Sequence, residues 1–159
     1  MILTTSTEPA LFIKNINQSP FNVAQRIVVE DFSLEEIQRL GELTGAAMTR
    51  SEGEILYELL GGHPALISQA LERFRADGNW EGLATQAARE EMFAQHLARL
   101  WERITADSIL LDAITSLIQC HPFSDEVRVR MQSAGIMRKA SQDEIRCKLY
   151  RDFLAHKLT

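Results

Sequence analysis

Gly61-Gly62-His63-Pro64 lies between two segments whose apolar residues follow helical spacing, Ile55–Leu60 and Ala65–Phe74. Paired glycines can end a helix through left-handed backbone conformations, and proline fits the first position of the helix that follows. The four residues therefore predict a tight corner between two helices. Spacing alone explains them as a structural turn.

Outward from the corner, the preceding chain is helical in pattern. Phe32-Ser33-Leu34-Glu35-Glu36-Ile37 contains a capping box, with Ser33 as N-cap and Glu36 three residues on, and Phe32 and Ile37 are spaced as its hydrophobic staple. Gly45 is the expected C-terminal stop. Ser51-Glu52-Gly53-Glu54 repeats the box spacing and opens the helix that runs to Gly61. Beyond the corner, Leu66, Ile67, Ala70, Leu71 and Phe74 form an apolar stripe, and Asp77-Gly78-Asn79 a turn. One long helix is expected over 83–104, with Phe93, Leu97, Leu100, Trp101 and Ile104 on one face.

Another helix carries Ile109 to Ile118, and Ser124 caps a further one ending at Gly135. The period then changes. Ile136–Lys139 and Glu144–Leu149 read as a β-hairpin, with Ile145, Cys147 and Leu149 alternating with Arg146 and Lys148. A last amphipathic helix turns Tyr150, Phe153, Leu154 and Leu158 inward. Helix, turn, helix, hairpin is the order of a winged helix. At the N-terminus, Met1–Thr5 and Gln25–Glu30 read as strands. Two strands do not make a stable sheet, so a missing N-terminal partner is expected, and an open strand edge offers a route to self-association.

The 159 residues are 45% hydrophobic and 25% charged, enough for a sizeable core and far from the composition of disorder. The net charge of −5 excludes a surface built wholly for nucleic acid. It is unevenly spread: residues 1–120 hold 9 Lys+Arg against 17 Asp+Glu, and residues 121–159 hold 8 against 5. Cys120 and Cys147 are too few for a disulfide framework or a metal clasp and read as free buried thiols. No run approaches the ~18 apolar residues of a membrane span, and no secretory signal opens the chain. A cytoplasmic location is expected.

Several segments, in order and over nearly the whole chain, resemble one family. They are Ser6-Thr7-Glu8, Asn17-Gln18-Ser19-Pro20-Phe21-Asn22-Val23, Phe32–Ile37, Gly61–Pro64 and Arg146-Cys147-Lys148-Leu149-Tyr150. They look like the C-terminal part of the AAA-like ATPase domain of bacterial and cyanobacterial signalling proteins, which are STAND-type ATPases. The resemblance implies a mainly α fold: remnant strands of a P-loop NTPase core over 1–30, a helical lid over 31–104 and a winged-helix unit over 105–159. It implies adenine-side contact by Gly61, Gly62, His63 and Pro64, and phosphate sensing by Ser6 and Thr7. The chain contains no Gly-x-x-x-x-Gly-Lys-Ser/Thr run, and phosphoryl transfer needs that loop and an Mg²⁺-binding acid. The expectation is therefore a non-catalytic portion. ATP or ADP with Mg²⁺ would bind only when another segment or polypeptide supplies the phosphate-binding core.

Other readings draw on the same residues. His63, His96, His121 and His156 lack ligand spacing, so no metal is expected, and His96 reads as a packing residue. No nucleophile–base motif is present, and Glu90-Glu91 reads as a solvated face. A small DNA-binding regulator would use Arg128 and Arg130 on the second helix and Arg138, Lys139, Arg146 and Lys148 on the wing. Asp125, Glu126, Asp143 and Glu144 sit among these cations and would repel phosphate, which counts against nucleic acid as the partner. An interaction module without ligand is the third reading.

Overall fold

The computed structural model describes residues 30–119, 121–138 and 144–158. The two expected N-terminal strands up to residue 29, Ser6, Thr7, Cys120 and Lys139 lie outside the described residues.

The first helix, α1 (Leu34–Thr44), starts as its sequence dictates. Ser33 accepts from the Glu36 N–H, the Glu36 carboxylate accepts from the Ser33 N–H, and Gly45 closes the helix at φ 75°. Ile37, the staple residue, is fully buried. Helix α2 (Arg50–Leu60) begins earlier than the Ser51 box predicts: Thr49 is the N-cap and Glu52 its reciprocal partner. The earlier start gains the Gly53 N–H to Thr49 carbonyl bond at 3.0 Å and the Arg50–Glu54 pair one turn apart. Gly61 ends α2, and α3 (Pro64–Asp77) starts on the proline.

The single long helix expected over 83–104 is three pieces. A 3₁₀ turn spans Glu81–Leu83, α4 spans Gln86–Met92 behind a Thr85 cap, and α5 spans Ala94–Thr105. The break falls at Phe93, which leaves helical geometry (φ −102°, ψ 16°) and is fully buried. Gln69 of α3 donates to the Met92 carbonyl at 2.7 Å. A side chain inserted at a helix carbonyl is a recognised cause of a kink, and this one anchors the break to α3.

Helices α6 (Ser108–Ile118), α7 (Asp125–Ser133) and α8 (Lys148–Leu158) complete the chain. Among the described residues the expected hairpin reduces to an isolated antiparallel bridge, Met137 to Ile145, with the Arg146 N–H donating to the Ile136 carbonyl at 2.7 Å. The second strand is cut short because Lys148 already opens α8. Leu149, Tyr150, Phe153 and Leu154 form one helical face in the core, and helical phase there outweighs strand alternation.

Helices α1, α2 and α3 pack mutually, α4 through α7 follow as successive neighbours, and α8 lies against α2, α4 and α6. One hydrophobic core runs from Ile37 through Leu60, Phe93 and Ile114 to Leu154. The described fold is mainly helical, and none of its helices is long and apolar enough to cross a membrane.

The cap assignment is open to test. Thr49→Ala should cost about 1 kcal/mol in urea unfolding, as N-cap loss does. Ser51→Ala should change stability by less than about 0.5 kcal/mol, the usual range for a surface position.

Candidate functional site

Both glycines of the Gly61–Pro64 corner take left-handed conformations, φ 65° and 74°. The Gly61 N–H donates to the Tyr57 carbonyl at 2.7 Å, and the His63 N–H to the Leu60 carbonyl at 3.1 Å. These bonds satisfy the end of α2 and leave the Gly62 carbonyl for the Phe32 N–H, 2.8 Å away. Both glycines are buried, whereas His63 and Pro64 are partly buried.

His63 is set edge-on to His96 of α5, their ring centroids 5.0 Å apart, and lies 6.2 Å from the ring of Tyr150 at the start of α8. The Tyr150 hydroxyl meets His96 Nε2 at 2.6 Å. Burial pushes the Tyr150 hydroxyl well above its ordinary pKa, so the phenol keeps its proton, and the His96 tautomer sets which of the two donates. Burial, then the charges of Arg103 and Arg146, hold His96 below its ordinary value. Burial and the nearby Arg146 charge lower His63 from 6.5 to about 4. His63 Nδ1 is enclosed without a hydrogen-bond partner among the described residues. A buried polar atom in that condition is costly unless a ligand or water completes it.

Arg146 ties the cluster together. Its guanidinium pairs with Asp31, Nη2 to Oδ1 and Nε to Oδ2, the latter at 3.3 Å. Arg138 donates to the Arg146 carbonyl at 2.9 Å and lies over the Tyr57 ring at 5.7 Å. Asp31 and Arg146 are 115 residues apart, and no sequence signal joined them. Likewise His96 read as packing only, and its bond to Tyr150 needed the meeting of α5 with α8.

Four cations of the DNA reading, Arg128, Arg130, Arg138 and Arg146, make contacts within the molecule. Arg130 pairs with Asp107 at 2.6 Å, and Arg128 lies 3.4 Å from Asp125 and over the Phe123 ring. Burial opposes ionisation of Asp107, yet Arg130 and the first amides of α6 outweigh it and hold the carboxyl below its usual range. Arg138 and Arg146 are committed at the turn. Lys148, at the start of α8, is exposed. Among the described residues no cluster of His, Cys, Asp or Glu could hold a metal ion. Cys147 is a free buried thiol, its pKa pushed by burial up to about 11.

The described residues form a mainly helical unit with a glycine–proline corner to which a C-terminal segment is clasped. The chain belongs to the AAA-like domain family, whose family model matches residues 1–156. No curated protein and no solved structure matches it.

The depressed pKa of His63 gives a pH dependence of defined sign. The unfolded chain takes up a proton below pH 6.5, whereas folded His63 resists protonation until about 4. Its contribution is therefore complete above 6.5 and is lost as the pH falls toward 4, by roughly 2–3 kcal/mol. Urea unfolding between pH 7.5 and 4.5 should show that loss, and His63→Gln should flatten it. Gly62→Ala should destabilise by about 2–4 kcal/mol at any pH, because its Cβ would stand 2.2 Å from the Phe32 carbonyl oxygen at positive φ.

Proposed function

We propose that these residues form the non-catalytic, nucleotide-sensing side of a STAND-type signalling ATPase. In this reading a helical lid and a winged-helix portion couple nucleotide state to conformation, and the phosphate-binding core lies outside the 159 residues. The observation that carries the reading is the family match over residues 1–156 in a sequence with no Gly-x-x-x-x-Gly-Lys-Ser/Thr run. Backbone amides of such a loop, its lysine and Mg²⁺ supply most of the charge stabilisation that phosphates need. Without them these residues alone neither bind ATP or ADP measurably nor hydrolyse either.

Gly61, Gly62, His63 and Pro64 are the adenine-side contacts of this reading, and Ser6 or Thr7 its phosphate sensor. The unpartnered His63 Nδ1 beside the turn supports it, since a neutral imidazole nitrogen can exchange a hydrogen bond with a purine edge. Coupling is supported by the convergence at one place of the entry to α1, the α2–α3 corner and the approach to α8. The phosphate-binding partner is either another segment of a longer chain or a second polypeptide.

Calorimetry with MgATP and MgADP tests the proposal, on the chain alone and mixed with a genomically adjacent polypeptide carrying a Walker loop. Binding in the mixture, absent from either component alone and weakened about tenfold by Pro64→Ala, is the expected result. A tenfold change corresponds to about 1.4 kcal/mol of contact at the adenine side. No binding in the mixture would overturn the reading and leave a ligand-free interaction module.

A further inference from the structure

Leu43 is the most exposed large hydrophobic side chain among the described residues, with 76% of its surface open. A single exposed leucine is ordinary on a protein surface, but this one stands beside a hollow. Between α1 and α3 lies a space of about 170 Å³, lined by Leu40, Thr44, Ser68, Leu71, Glu72 and Arg75. Leu40 is one helical turn before Leu43, so knob and hollow are neighbours on α1.

The hollow suits a side chain and not a metabolite. Its volume is well under the ~300 Å³ at which small-molecule pockets begin. Leu40 and Leu71 supply its apolar wall. The Thr44 hydroxyl is turned back onto the Leu40 and Gly41 carbonyls at 2.8 and 3.3 Å, so it asks nothing of a guest. An aliphatic side chain is the guest that such a wall favours.

The charges around the hollow select the molecule that carries this guest. Of the four arginines on α1, α2 and α3, Arg50 and Arg73 pair with Glu54 and Asp77 inside their own helices. Arg39, Glu42, Glu72 and Arg75 are exposed and form no ion pair among the described residues. Arg39 and Glu42 flank Leu43 on α1, whereas Glu72 and Arg75 rim the hollow on α3. Knob and hollow thus carry one charge of each sign apiece. A uniformly acidic or basic partner would set like charges against each other at both places. A second copy instead matches Arg39 to the partner's Glu72 and Glu42 to the partner's Arg75. Because knob and hollow are adjacent, a two-fold axis fills both hollows at once and closes the assembly at two copies.

We propose that the α1–α3 face is a self-complementary docking surface for a second copy of this chain, with Leu43 of each copy seated in the hollow of the other. Helix α1 starts beside Gly62 and ends at Thr44, so the hollow lies toward the end remote from the Gly61–Pro64 corner. Docking there leaves the corner free and does not depend on whether the corner contacts a nucleotide.

Sedimentation velocity of the full chain over a concentration series tests the surface. A monomer–dimer equilibrium without larger species is expected. Leu43→Asp should weaken dimerisation at least about tenfold, as the loss of buried leucine side chains requires, while the dilute variant keeps the parent's urea midpoint. Arg39→Glu and Glu72→Arg should each weaken it about tenfold, and the two together should restore it to within about threefold of the parent. A dimer indifferent to Leu43→Asp would put self-association on another surface. A monomer up to about 1 mM would leave the hollow to a different protein. Either result, open-ended polymers, or a paired reversal that fails to rescue the dimer would overturn the proposal.

Discussion

The backbone of Phe32 donates to the Gly62 carbonyl at 2.8 Å, and the approach is open only because Gly62 has no Cβ. Through this contact the entry to α1 meets the α2–α3 corner. The same corner receives Arg146 and Cys147 at Gly61, so the start, middle and end of the helical unit share one small volume. The side chains around it follow from that closeness. Tyr150, first turn of α8, reaches His96 of α5 because the Cys147 backbone is seated on the glycine; His63 then stands edge-on to both rings.

Electrostatics reinforce the arrangement at specific points. Arg130 faces the carboxylate that caps α6, Arg146 faces the carboxylate that precedes α1, and Arg103 of α5 donates to the Ala134 carbonyl at 2.9 Å behind α7. The positive balance of residues 121–159 is thus partly spent on acidic and carbonyl groups of the chain itself. Charge asymmetry in a sequence suggests an external anion; the contacts show part of it bracing helix ends.

How legible each part was depended on the range of the interaction involved. The Ser33–Glu36 box, the Gly45 and Gly61 stops and the Pro64 start were readable because each is made within a few residues. Ser51–Glu54 misled because Thr49–Glu52 has the same spacing two residues earlier, and local chemistry does not rank the two. The break at Phe93 was not readable from periodicity: Phe93, Leu97, Leu100 and Ile104 keep one face, and the kink depends on Gln69 of another helix. Strand alternation at 145–149 is also compatible with a helix entry, and packing of Leu149 and Tyr150 decided between them.

The corner at Gly61–Pro64 was the part of the candidate site most fully written in the sequence, because left-handed backbone and an N-terminal proline are properties of single residues. The absence of a phosphate-binding loop from these 159 residues is likewise a fact of sequence. What lies over the corner was decided by tertiary structure alone. Asp31, His96 and the Arg146–Tyr150 segment come from three places along the chain, and nothing local distinguishes a carboxylate in water from one that meets an arginine 115 residues away. Caps and turns are settled by neighbouring dihedrals, whereas a buried polar cluster exists only once the helices that carry it have packed.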